Sequence, residues 1–323
     1  MIQATDLHKH FGHKQAVDGI SFAVGKGEVL GFLGPNGAGK STTMRMITGY
    51  LHPSAGEILI GGTNVALQPE EAKKRIGYLP ENAPLYSDMP VISFLRFCAE
   101  MRGLRGAAIQ SAVERVVGLC FLGNVLHQSI DTLSKGYRHR TCLAQSLVHD
   151  PEVLILDEPT DGLDPNQKHE IRALIKEMGR EKAIIFSTHI LEEVEAACTR
   201  AVIIDQGRIV ADGTPSQLLD RSPIAGHVRF RLRGLAGSGI AAEVGRLAPC
   251  QAVASLESGD NHLEGRAAPR KGVASADLAG AIFELAKQHG WKLEKLDTEI
   301  GRLDEVFRRI TSAETGKANP DAA

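Results

Sequence analysis

The sequence predicts an α/β fold with a mostly parallel, helix-covered sheet, followed by a smaller α+β domain. Three observations carry this. Short apolar strands alternate with helix-like segments up to about Asp220. A glycine-rich turn, Gly34 to Thr42, joins the apolar run Val29–Leu33 to an apolar-periodic helix beginning near Thr43. Past a turn-rich boundary at Asp220–Gly226, the pattern switches to the alternation of His227–Arg233.

The elements follow in order. Val29–Leu33 reads as a short buried strand, and Arg75–Leu79 as the next candidate. Strand signals then vanish from Asn82 to Leu133, while Pro90–Arg102 reads as a helix, so a helical insertion is expected at about 82–145. Helices at Ser134–Val148, Asn166–Met178 and Leu191–Cys198 alternate with strands at Val153–Leu156, Ala183–Ser187 and Ala201–Asp205. Thr214 as a cap, Pro215 in the first helical position and Gln217 completing a capping box start one more helix. The first domain is thus expected over 1–222.

The second is expected over 223–311. His227–Arg233 places Val228, Phe230 and Leu232 on one face and Arg229, Arg231 and Arg233 on the other, a half-buried strand. A helix near Ile240–Leu247, weak strands at Ala252–Leu256 and His262–Arg266, a helix at Ala276–His289, a strand at Trp291–Leu296 and a closing helix at Leu303–Thr311 complete it. Residues 312–323 read as a disordered tail. The arginine row could bind nucleic acid or lipid headgroups, but acidic residues elsewhere in the domain balance it and favour a solvated strand face.

A length of 323 residues suits two domains, and a net charge of −2 exerts no general pull on nucleic acid or anionic membranes. The start of the chain carries neither a basic n-region nor an apolar h-region, and no stretch is long enough to span a bilayer, so a soluble cytoplasmic protein is expected. Cys98, Cys120, Cys142, Cys198 and Cys250 are widely spaced without a C-x-x-C pair and read as small buried hydrophobes.

The turn after Val29–Leu33 has the pattern G-x-x-x-x-G-K-[ST], filled by Gly34, Gly39, Lys40 and Ser41. Its glycines let successive backbone N–H groups point into one concavity, and the helix start adds free donors and a positive dipole end. In that setting Lys40 reaches the β- and γ-phosphates of a nucleotide and Ser41 ligates Mg2+. Val153–Glu158 is an apolar strand ending in two carboxylates, where parallel sheets gather ligands: Asp157 suits Mg2+, and Glu158 suits an attacking water. Ser134 and Gly136 open a helix and can aim N–H groups at an anion, and His189 ends another strand where it can meet a γ-phosphate.

The order of these motifs resembles the ATP-binding subunit of an ABC transporter over nearly everything to Asp220. The carriers are the phosphate loop Gly34, Pro35, Asn36, Gly37, Ala38, Gly39, Lys40, Ser41 and Thr42, the signature Leu133-Ser-Lys-Gly-Tyr137, the Walker B strand Val153–Glu158, the D-loop Gly162-Leu-Asp164 and the switch histidine His189. The resemblance implies a P-loop NTPase fold with antiparallel N-terminal strands, with Phe11 stacking on adenine. It implies that Glu158, His189 and Lys40 are catalytic, that Ser41, Glu81 and Asp157 hold Mg2+, that Ser134 and Gly136 contact a nucleotide held by a second subunit, and that Asp164 is a further nucleotide-contact residue. Glu81 stands where the family usually has glutamine, as in the gliding-motility-type branch. Lys135 and Tyr137 stand where many relatives have glycine and glutamine. The segment Leu303–Phe307 resembles the closing motif of drug-export and gliding-motility-type systems.

The function implied is ATP hydrolysis that closes and opens a homodimer, or paired ATPase subunits, on ATP and Mg2+. This would power a separate integral membrane permease from the cytoplasmic face, in the export direction. No nucleic-acid partner is expected. The alternatives are a remodelling ABC ATPase, against which the single phosphate loop argues, and a non-catalytic regulatory cassette, against which the presence of Lys40, Glu158 and His189 argues.

Overall fold

A computed structural model of the chain describes residues 1–82, 84–234, 237–259, 261–299, 301 and 305–306. Apart from Glu305 and Val306, the closing segment Leu303–Phe307 and its expected helix lie outside the described residues, as does the expected tail at 312–323. The chain divides into two compact units, Met1–Pro215 and Ser216–Ala323.

The first unit opens with β1 (Ile2–Phe11) and β2 (Lys14–Val24), then β3 (Val29–Leu33), α1 (Lys40–Ile47), β4 (Ala55–Ile60), β5 (Thr63–Asn64), α2 (Pro69–Lys74) and β6 (Ile76–Leu79). The helical insertion supplies α3 (Val91–Met101), α4 (Ala107–Leu119) and α5 (Lys135–Leu147), with 3-10 turns at Gly123–Val125 and Ile130–Thr132. Next come β7 (Val153–Asp157), α6 (Pro165–Met178), β8 (Ala183–Thr188), α7 (Leu191–Ala197), β9 (Arg200–Asp205) and β10 (Arg208–Gly213), with α8 (Pro215–Leu219) at the division.

Two sheets result. The larger has the order β10-β9-β3-β8-β7-β6; β9 to β6 are mutually parallel, and β10 joins antiparallel. The smaller is antiparallel, in the order β2-β1-β4-β5. Every residue of β3, β7 and β8 is buried, which explains their unbroken apolar runs: both faces of this sheet are covered. Val91, Phe94 and Leu95 of α3 join Val113 and Val116 of α4 and Leu143 and Leu147 of α5 in a core that reaches Leu154 and Leu156 of β7.

The second unit runs β11 (Val228–Arg233), α9 (Gly237–Gly245), β12 (Cys250–Ser258), β13 (His262–Pro269), α10 (Ser275–Gln288) and β14 (Lys292–Thr298). Its sheet order, β12-β13-β11-β14 with antiparallel neighbours, is the split β-α-β-β-α-β arrangement. Val228, Phe230 and Leu232 face Ile240, Leu278 and Ile282 in its core. The arginines of β11 take the other face, where Glu264 of β13, directly opposite Arg231, pairs with both Arg229 and Arg231. Arg231 also meets Glu257 at 3.2 Å, and Arg233 meets Glu294 at 3.4 Å. Cross-strand opposite charges of this kind stabilise a sheet face and neutralise it locally.

No helix of the described residues is long and apolar enough to cross a membrane. Cys120, Cys142 and Cys250 are buried, and burial pushes the thiols of Cys120 and Cys142 up to about 12.

Candidate nucleotide site

The loop between β3 and α1 is shaped by glycine. Gly39 has a φ of +111°, and a Cβ there would sit 2.6 Å from the Ala16 carbonyl oxygen, so no side chain is accommodated. No side chain caps α1, which leaves its first N–H groups available to an anion. Lys40 is 6% exposed, and its Nζ folds back to donate to the carbonyl oxygens of Gly34 at 2.7 Å and Pro35 at 3.2 Å. Burial lowers its pKa below the ordinary lysine value, while Glu158, Asp157 and Glu81 pull the other way. The ammonium is thus held by two weak neutral acceptors that a phosphate oxygen can replace.

The carboxyl end of β7 lies beside this loop. Asp157 is 1% exposed, and its Oδ1 accepts from Ser41 Oγ at 3.3 Å and from Ser187 Oγ at 2.5 Å. Ser187 Oγ in turn accepts from the Glu158 N–H at 3.1 Å. Glu158 adopts a left-handed φ of +52°. Its Oε2 lies 3.1 Å from His189 Nδ1, beyond the end of β8. Burial raises the Glu158 pKa above the ordinary carboxylate value; His189, then Lys40, oppose that rise.

These groups open onto a cleft of about 580 Å3, which Glu158, Glu81 and the phosphate loop line together with Phe11, Lys14 and Ala16. Phe11 is half exposed, and the Nζ of Lys9 stands 5.3 Å from its ring centre. A planar heterocycle could therefore stack on the free ring face. Asp157 joins the cleft through Ser41, and His189 through Glu158.

Five of the expected contact residues do not line the cleft: Gly34 and Ala38, which lie within the loop itself, and Ser134, Gly136 and Asp164, which lie away from it. Ser134 caps α5, accepting from the Tyr137 N–H at 3.4 Å, and Asp164 caps α6, accepting from the Gln167 N–H at 2.9 Å. Gly136 packs so closely on α6 that a Cβ would lie 2.8 Å from Gln167 Oε1. Lys135 crosses to Asp161 at 2.8 Å, tying the start of α5 to the loop before α6.

Sequence reasoning missed Lys14, Ala16 and Ser187. Lys14 and Ala16 reach the cleft only because β2 folds beside the phosphate loop. Ser187 matters because it pairs with Asp157 across parallel strands, a register that no local pattern reveals.

Residues 17–161 match the family model described as ABC transporter. The linearmycin resistance ATP-binding protein LnrL of Bacillus subtilis is 38% identical over 222 residues, covering 68% of this chain and 71% of the relative. The chain belongs to the ABC transporter family. It is similar to the Nod factor export ATP-binding protein I of Burkholderia lata, at 39% identity over 68% of this chain and 72% of that protein. A solved structure of an ATP-binding subunit of an ABC transporter is 30% identical, with a TM-score of 0.63, covering 68% of this chain and 91% of that one. The chain is an ABC ATPase subunit: it binds and hydrolyses ATP and serves a membrane transporter.

Proposed function

We propose that this ABC ATPase works as a head-to-tail pair of copies that closes on two ATP molecules and reopens on hydrolysis, driving export through a separate integral membrane permease. One observation carries most of this reading. Lys40, Ser41 and Glu158 line one cleft, with Asp157 behind Ser41, whereas Ser134, Gly136 and Asp164 lie outside it at two helix starts. A second copy can supply those missing contacts. Burying the charge of a triphosphate requires donors on every side, and charge-assisted hydrogen bonds are about twice as strong as neutral ones.

The residues then take the following roles. Gly34 to Thr42 wraps the phosphates with backbone N–H groups, and Phe11 stacks on the adenine. Lys40 exchanges the Gly34 and Pro35 carbonyls for phosphate oxygens, where it stabilises developing charge. Glu158 accepts a proton from the attacking water, while His189 orients that carboxylate and faces the γ-phosphate. Ser41, Asp157 and Glu81 form an all-oxygen set, with Ser41 Oγ 3.3 Å from the Asp157 carboxylate, and this fits a hard cation such as Mg2+. When bound, Mg2+ would neutralise charge on the β- and γ-phosphates.

The functions named for the relatives, linearmycin resistance and Nod factor export, support the export direction. The surface following Glu81, where Tyr86 packs edge-on against Phe94 and Phe97, is suited to passing nucleotide state to the permease from the cytoplasmic face. The test is purification of the full chain from detergent-solubilised membranes. An integral membrane protein should accompany it and stimulate its ATP turnover. Recovery of an active protein only with ribosomes or other soluble partners would overturn the transport assignment.

A further inference from the structure

We propose that Glu193 is a positioning residue for hydrolysis, tying the loop that follows Glu158 to the strand end that carries His189. The inference rests on the roles given above to Glu158 and His189 and assigns a function to a buried acid outside the cleft.

Glu193 sits in the first turn of α7 and is 1% exposed. A buried carboxyl group is costly unless its oxygens are hydrogen-bonded. Here each oxygen has a hydroxyl donor from a different segment: Thr160 Oγ1 donates to Oε1, and Thr188 Oγ1 donates to Oε2 at 2.7 Å. Thr160 is two residues beyond Glu158, and Thr188 immediately precedes His189. The bridge Thr160–Glu193–Thr188 therefore runs alongside the 3.1 Å contact between Glu158 and His189, a second tie between the same two segments.

The donors are directed. Thr188 Oγ1 already accepts from the Ile190 N–H at 3.0 Å, which fixes its rotamer and leaves its proton for Glu193. Lys168 of α6 adds a third element, with its Nζ 3.9 Å from Glu193 Oε1, on the helix that Asp164 caps. One carboxyl group thus meets the loop after β7, the end of β8 and α6. If that bridge opens, the Glu158 carboxylate and the His189 ring lose their common reference.

The test uses the full chain with Thr160→Val, which keeps side-chain shape and deletes the donor, and Thr188→Val, which deletes the donor and also the acceptor of the Ile190 N–H, so that Thr160→Val is the decisive variant; Thr160→Ser and Thr188→Ser keep the hydroxyl. Each valine variant should lower kcat by about tenfold or more, as expected for a small misplacement of reacting groups, with ATP affinity held within about twofold. The serine variants should restore most of that turnover. If a valine variant does not fold, Glu193→Gln is read in the same way, because it removes one acceptor and keeps the other. The inference is overturned if kcat stays at the wild-type level, if kcat and ATP affinity fall together, or if serine fails as valine does. Wild type and Glu158→Gln measured in parallel separate the two ideas: a normal kcat in the valine variants beside an inactive Glu158→Gln sinks only the role of Glu193.

Discussion

Glu158 and His189 follow different strands, yet their side chains meet at 3.1 Å, carboxylate to Nδ1. The contact depends on backbone shape as well as sheet order. The left-handed φ of +52° at Glu158 turns its side chain, and the parallel pairing of β7 with β8 brings the two strand ends level. A carboxylate held in this way is oriented before substrate arrives, which is where preorganised catalysis gains most.

Removing the orienting partner tests that geometry. His189→Ala should lower kcat by about 100-fold, within the usual range for a general acid–base element, while leaving ATP affinity nearly unchanged. Single-turnover hydrolysis beside nucleotide titration separates the two effects. An equal loss in both would make His189 a binding residue instead.

The environment of Glu158 sets a pH dependence. Burial raises its folded-state pKa, and the general-base role proposed for it requires the ionised form, so in that role the acid limb of kcat should lie at higher pH than an ordinary glutamate gives. Stability runs the opposite way. A carboxyl group whose folded pKa is raised favours the folded state below its ordinary pKa, and that contribution is lost as pH rises through the raised value. Glu158→Gln, neutral at every pH, should therefore melt no lower than wild type at neutral pH, as thermal scans across pH would show.

Lys40 gives a prediction about binding. Its partners in this structure are two neutral carbonyls, and replacing them with a phosphate gains a charge-assisted hydrogen bond. Lys40→Ala should weaken ATP binding by about 10- to 100-fold, the size expected for one hydrogen bond to a charged group. Titration with a fluorescent nucleotide measures it directly, and unchanged affinity would remove Lys40 from the phosphate site.

Acid sensitivity should trace in part to His149. Its Nε2 lies 3.1 Å from the Ile76 carbonyl oxygen, its Nδ1 is buried without a hydrogen-bond partner among the described residues, and burial followed by Arg102 lowers its pKa to about 4. The unfolded chain, with an ordinary histidine pKa near 6.5, binds the proton first. Stability is therefore lost as pH falls from about 6.5 to about 4. His149→Gln should flatten the fall of Tm across that window; an unchanged slope would place the acid sensitivity elsewhere.

The features legible in the sequence are those set by neighbouring residues. The phosphate loop is one, because its glycines, Lys40 and the start of α1 are contiguous. The apolar runs of β7 and β8 are another, since strands buried on both faces carry no alternation. In the second unit, the spacing of Val228, Phe230 and Leu232 identifies the buried face of β11. The sequence does not show which strands become neighbours. The order β12-β13-β11-β14, the register that sets Ser187 beside Asp157, and the arrival of Lys14 and Ala16 at the cleft all arise from tertiary pairing. Element ends were also less legible: α9 begins at Gly237, ahead of the apolar positions that mark it, because glycine is a poor helix former. Glu193 is not legible in the sequence, because an acid in a first helical turn resembles an ordinary surface residue until its burial is known.

The most direct test is the size of full-length Glu158→Gln in solution, with and without ATP and Mg2+, alongside its ATP turnover. Turnover should fall by at least about 100-fold, and ATP should convert the monomer to a stable dimer that disperses when nucleotide is removed. A variant that binds ATP yet stays monomeric, or one that hydrolyses ATP at the wild-type rate, would contradict closure of two copies around a nucleotide cleaved with the help of Glu158.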